Sequence, residues 1–427
     1  MRRCFTAVLP ALLLVSSGFA FPASRAQLTA EFAVTPEKSG GIYYAYPFTT
    51  DSLATVPDGF EPVYLSHYGR HGSRWVIDMS IYPKVLGALR AQRDAANLTS
   101  VGEALIPLVE ACATHAEGHS GELSPLGERQ HAAIAGRMAR RFPALFADSA
   151  RVVMRSSTEP RCIVSMAAFS EALKEANPAL RVERYASPGD MDFIHYSSPE
   201  AKAMGKPDAK WMRRFGAARD SLTACTASAR RIFRDPGLVR HLPVVMRHLH
   251  DIAIDVQDVD GLQDECDSII RIFTPDDLYN LWQASNYMMY VRHADSGVGR
   301  DAGPRSAANL LANVIGCADS ALAGSGPAAD LRFGHDTSLI RFLSLAGIDA
   351  CSPAGAGTPE DAAVQWQTFR ISPMGANFQM AFFRNDSGEV IAGMRLNETP
   401  VEIKDLKEYA PGYYKWNELK EYWGNRL

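Results

Sequence analysis

Arg70-His71-Gly72-Ser73-Arg74 sets one imidazole between two guanidinium groups, a few residues after the apolar run Pro62-Val63-Tyr64-Leu65. A planar guanidinium offers a fork of N–H donors that fits the oxygens of a phosphate. An imidazole held between two such forks would face the phosphorus. Two more turns carry groups of the same kind. Arg155-Ser156-Ser157-Thr158-Glu159-Pro160-Arg161 follows Val152-Val153-Met154, and Gly334-His335-Asp336-Thr337 follows Asp330-Leu331-Arg332-Phe333. A phosphoryl group in transfer spreads negative charge over its peripheral oxygens, which several fixed cations stabilise with no metal required. The same cations disfavour imidazolium, so His71 should stay neutral in mildly acidic solution. A carboxylic acid such as Asp336 must hold a proton to serve a leaving alcohol.

The elements that position these turns can be read from periodicity. Residues 62–65 read as a short buried strand, and Gly69 and Gly72 as the places where the chain turns sharply. Ile81, Val85, Leu86 and Leu89 recur at helical spacing, and a second helix is expected over residues 98–114. Ser124 is an N-cap candidate with Pro125 at the first helical position, which predicts a helix to about Arg141. Residues 152–154 read as a strand before a helix through Phe169 and Leu173. Strand, polar turn and helix recur at 330–347, and alternation in the tail from Trp366 to Val401 predicts closing strands. This is the pattern of a mostly parallel central sheet flanked by helices, with its chemistry at strand ends. Between about 190 and 290 strand signals fade and charged helical segments dominate. We therefore expect an α/β domain from 27–190 plus 291–427, with 191–290 as an inserted, mostly helical cap. Residues 27–60 lack periodicity and read as an arm laid over the surface.

At 427 residues with 47% hydrophobic content, the chain can bury a large core. Arg2 and Arg3, the apolar run from Ala7 to Val15 and the small residues up to Ala26 have the layout of a secretory signal peptide, with cleavage after Ala20 or Ala26. A secreted or periplasmic location and no membrane span are expected. Without residues 1–26 the chain holds about 41 basic and 48 acidic residues, a balance that argues against a nucleic-acid partner. Six cysteines remain: Cys112, Cys162, Cys225, Cys266, Cys317 and Cys351. Their spacing does not suggest zinc, and both disulfides and buried free thiols fit. His248-Leu249-His250-Asp251 has no fourth ligand, so no metal site is assigned and a solvated helix is expected there.

The three turns together resemble the histidine acid phosphatases, in that family's order and separations. Ser66 to Arg74, Arg155-Ser156-Ser157 with Arg161-Cys162, Leu331 to His335 with Leu343-Ser344-Leu345, and Asn397-Glu398 with Val401 look like the branch of multiple inositol polyphosphate phosphatases. The likeness runs over about 38–403. One departure is Asp336-Thr337, where that branch has Ala-Glu after the histidine. The resemblance implies a phosphoglycerate-mutase-like fold with no cofactor, His71 as a nucleophile forming a phosphohistidine, and Arg70, Arg74 and Arg161 on the phosphate oxygens. It makes His335 a further donor and Asp336 the acid that protonates the leaving alcohol and then helps activate water. Arg155 is close enough to contribute, although Arg161 is the better match. Lys206 and Lys210, in the basic run Lys202 to Arg214, could grip further phosphates of a polyphosphorylated substrate. The expected activity is hydrolysis of phosphate monoesters, above all inositol polyphosphates including phytate, by a monomer. The rival readings are a sugar-phosphate (glucose-1-phosphatase-like) or broad-specificity acid phosphatase and a phosphate-binding protein without catalysis, which would lack the nucleophile or the acid. Both candidates are present here.

Overall fold

Strand β1 (Phe60–Arg70) lies between β4 (Ala329–Gly334), its parallel neighbour, and β5 (Asn377–Asn385), which runs antiparallel to it. This computed structural model describes residues 23–47, 56–256, 262–298, 301–353 and 355–427. Most of the expected signal peptide therefore lies outside the described residues. From Tyr64 to Arg70 every residue of β1 is buried, as a strand covered on both faces must be. The sheet continues outward from β4 through β2 (Arg151–Ser156) to β3 (Arg181–Tyr185), all parallel. On the other side β5 is followed by antiparallel β6 (Val390–Leu396), with β7 (Thr399–Pro400) and β8 (Tyr413–Lys415) both on β6. Helices flank this central sheet, the α/β architecture expected.

Capping and periodicity account for the helices nearest the site. Ser124 caps α4 (Pro125–Arg141) by accepting from the Gly127 amide, and α5 (Pro160–Ala176) begins with Pro160 at its first position. Helices α2 (Ile81–Asp94) and α3 (Ser100–Ala116) follow the predicted stripes. Their buried Val85, Leu89, Leu105 and Val109 share one hydrophobic cluster with Ile232, Met246, Leu249 and Ile252 of the helical segment between β3 and β4.

Two expectations are corrected. The segment after residue 24 is a helix, α1 (Arg25–Val34), with Leu28 and Phe32 fully buried; it belongs to the core and is not a surface arm. The helix Leu242–Val256, expected to be solvated, buries Met246, Leu249, His250 and Ile252. His250 Nε2 is 2.8 Å from the Ser39 hydroxyl, and an imidazole with such a partner is at home in a core. Cys112, Cys162, Cys225, Cys317 and Cys351 are free thiols.

Behind the site, Glu398 anchors the turn after β6. It accepts from Arg137 Nε at 2.9 Å and Nη2 at 2.6 Å and from the Tyr46 hydroxyl at 2.9 Å, with Arg141 3.6 Å away. Such a buried, multiply bonded carboxylate fixes α4 against β6.

Candidate active site

Parallel pairing brings the C-terminal ends of β1, β2 and β4 together: Arg70 pairs with Gly334, and Ser156 with Phe333. The three chemistry-bearing turns therefore leave the sheet side by side, where α/β folds place their sites. The His71 amide donates to the Gly334 carbonyl at 2.9 Å, and the Ser157 amide to Phe333 at 2.9 Å. The loop after β1 is held by two helices, since the Gly72 amide donates to Ser165 of α5 and the Ser73 amide to Gln130 of α4. Gly72 is needed for packing and not for an unusual turn. A Cβ there would lie 2.5 Å from the Gly127 carbonyl oxygen.

His71 is buried, and its Nδ1 lies 2.9 Å from the Gly72 carbonyl. A carbonyl only accepts, so Nδ1 carries the hydrogen and Nε2 keeps its lone pair. Burial, then Arg70, Arg74 and His335, push the imidazole well below its ordinary value. The ring therefore stays neutral into acid, with the Nε2 lone pair unprotonated.

Arg70 is almost wholly buried. Its Nη1 donates to the Ser372 carbonyl at 2.8 Å and also to that of Ile42, while Nη2 is 3.5 Å from Asp336 Oδ2. Arg74 donates to the Trp75 carbonyl at 2.7 Å and lies over the Tyr43 ring at 5.4 Å; its buried Nε has no partner among the described residues. Arg161, in the first turn of α5, pairs with Glu159 at 3.0 Å and acts electrostatically on His335. The ring of His335 is 5.6 Å from that of His71, and its Nε2 is 3.1 Å from the Ser157 hydroxyl. Asp336 opens the helix Asp336–Leu345. Burial alone would raise its carboxyl, but Arg70 and His335 outweigh that and hold it below the usual carboxylate range.

The fold thus brings together His71, Arg70, Arg74, Arg161, His335 and Asp336. Arg155 is not among them: it pairs with Asp330 at 2.9 Å and lies over the Tyr185 ring. Lys206 and Lys210 are exposed, before and at the start of the helix Lys210–Leu222. Sequence reading missed His195, whose ring is tilted against that of His335 with the centroids 4.1 Å apart and whose Nδ1 is 3.0 Å from the Ser338 hydroxyl. It ends a short helix after β3 and carries no local motif. Among the described residues no three His, Cys, Asp or Glu side chains are grouped to hold a metal.

A cavity of about 400 Å³ opens beside Arg74. Tyr43, Met374 and Asp78 line it together with Arg247, His248 and Asp251 from the helix Leu242–Val256. Burial raises the carboxyl of Asp255, one turn beyond Asp251, to about 6. Asp251 itself is exposed on the cavity wall.

Residues 98–392 match the histidine phosphatase superfamily (branch 2), and the chain belongs to that family. It is accordingly a phosphoric monoester hydrolase. The match begins after the Arg70–Arg74 loop, which the fold itself brings to His335. The solved multiple inositol polyphosphate phosphatase of Bifidobacterium longum, in complex with inositol hexasulfate, aligns with a TM-score of 0.69 at 18% identity, over 90% of this chain and 97% of that one. The phytase from D. castellii aligns with a TM-score of 0.66 at 16% identity, over 91% and 85%. No curated protein sequence matches significantly.

Proposed function

We propose that this protein is an exported phosphatase that hydrolyses inositol polyphosphates, including phytate, through a phosphohistidine on His71. The observation that carries the reading is the fixed tautomer of His71, which leaves Nε2 free beside Arg70 and Arg74. The Nε2 lone pair attacks phosphorus, and the bond from phosphorus to the alcohol oxygen breaks as Asp336 gives that oxygen its proton. Water then attacks the phosphohistidine, the Asp336 carboxylate takes the water's proton, and inorganic phosphate leaves. An incoming phosphate competes for Arg70, the main partner that keeps Asp336 ionised. Binding therefore raises the carboxyl toward the protonated form that the first step needs. Arg161 and His335 complete the ring of donors around the oxygens.

Export rests on the stretch from Arg2 to Ala26. Cleavage after Ala20 would leave α1 and its capping box, Ser24 with Gln27, intact. The test is phosphate release from inositol hexakisphosphate, glucose 1-phosphate and a small aryl phosphate, with and without a chelator. Chelator-resistant turnover, fastest with inositol hexakisphosphate, is expected. Preference for glucose 1-phosphate would overturn the substrate assignment, and a strict metal requirement the mechanism.

A further inference from the structure

We propose that Arg292 and Arg341, with His293 behind them, form a second anion site that holds a phosphate neighbouring the one being transferred. The proposal rests on the phosphatase reading above and deepens it. Arg292 and His293 close the helix Pro275–His293, and Arg341 lies on the helix that Asp336 begins. Arg341 Nε donates to His293 Nδ1 at 3.2 Å, and its Nη1 donates to the Tyr196 carbonyl and the Ser197 hydroxyl, both at 3.1 Å. Because His293 Nδ1 accepts, its Nε2 bears the hydrogen. That nitrogen is buried and has no partner among the described residues. The Nε of Arg292 is likewise without one, and its guanidinium packs against Gly205, where a Cβ would come 2.7 Å from Nη2.

Among the described residues neither arginine forms an ion pair with a carboxylate. Arg341 is buried and Arg292 half-buried, and removing a guanidinium from water without a counter-charge is costly. Burial lowers Arg341 only to about 10, so it is still charged at neutral pH. Two cations with no carboxylate in ion-pair contact, at the edge of a phosphate site, are what a second phosphate would neutralise. The cluster adjoins the acid end of the site. Asp336 acts electrostatically on all three groups, and Tyr196 and Ser197 directly follow His195, whose ring contacts that of His335. In the proposed mechanism the leaving alcohol takes its proton from Asp336, so a phosphate on its adjacent carbon would lie on this side of the site. Lys206, one residue after Gly205, adds exposed charge nearby.

The test uses Arg292→Gln and Arg292→Lys in the full-length protein. KM is compared for inositol hexakisphosphate and for para-nitrophenyl phosphate, which has one phosphate. Arg292→Gln should raise the ratio of the two KM values at least tenfold, and Arg292→Lys should recover part of it. Binding of inositol hexasulfate, followed by calorimetry, should weaken at least tenfold in Arg292→Gln, with no fall in the melting temperature of the ligand-free protein. KM values that move together, a ratio within twofold of the parent, or a lower melting temperature would overturn the second site. If the parent hydrolyses neither phosphate, the phosphatase reading fails, and hexasulfate binding by the parent and Arg292→Lys still decides the anion site.

Discussion

Arg292 and Arg341 stand beside Asp336 without a carboxylate partner among the described residues, whereas Arg219 and Arg247, in the cavity beside Arg74, share Asp220 at 3.3 and 3.1 Å. That cavity also presents Asp78, Asp251 and Asp255. The cavity wall holds more cations, Arg74, Arg219 and Arg247 with His248 and His250, but two of its arginines already share a carboxylate, whereas neither Arg292 nor Arg341 does. Attraction for a polyanion thus depends on which cations are already neutralised rather than on how many the wall contains. The run from Lys202 to Arg214 has the most cations in sequence, but Lys206 and Lys210 are exposed, where solvent and salt screen them.

The comparison can be broken at several strengths. In the proposed mechanism Arg70 would hold the transferred phosphate on whichever wall the rest of the substrate lies. Arg70→Gln should lower kcat/KM by about 10²–10³-fold for inositol hexakisphosphate and aryl phosphate alike, and steady-state kinetics on both checks it. An effect confined to the polyphosphate would move Arg70 out of the shared centre. Next, the double change Asp251→Asn with Asp255→Asn should tighten inositol hexasulfate binding about three- to tenfold at pH 8. At pH 4 the gain should shrink, because the Asp255 carboxyl, raised to about 6, is already neutral there. Equal tightening at both pH values would show that charge is not the cause. The same logic gives a stability effect. The folded value of Asp255 lies above its unfolded value, so its cost is absent below about pH 4 and fully present above its folded value of about 6. Asp255→Asn should therefore stabilise the protein by about 1–3 kcal/mol at pH 8 and not at pH 4, as denaturant titration would show. The smallest effect is expected for Lys206→Gln with Lys210→Gln, less than about threefold in KM for inositol hexakisphosphate. A tenfold rise there would move the grip on distal phosphates to the cap.

The candidate site was legible because its parts are local. Each turn follows its own strand, and parallel pairing of β1, β2 and β4 needs only the strands to be recognised. Arg155 shows where that reading ends: it sits inside β2, where its side chain meets Asp330, while Arg161 lies beyond the turn on α5. Helix α1 was missed although Ser24 and Gln27 spell a capping box. The buried helix Leu242–Val256 also had its apolar stripe in view, at Val245, Met246, Leu249 and Ile252. His195, Arg292 and Arg341 could not be read in this way, because tertiary packing alone joins residues so far apart to His335 and Asp336.

Phosphorylation of His71 is the central step of the proposed reaction. The direct measurement mixes the enzyme with inositol hexakisphosphate at pH 5, quenches in alkali to preserve a phosphorylated imidazole, and maps the modified peptide by mass spectrometry. A phosphoryl group on His71 that forms within one turnover, decays with phosphate release and is absent from His71→Ala is the predicted result. Turnover without a phosphoenzyme, or a phosphoryl group on any other residue, would contradict it.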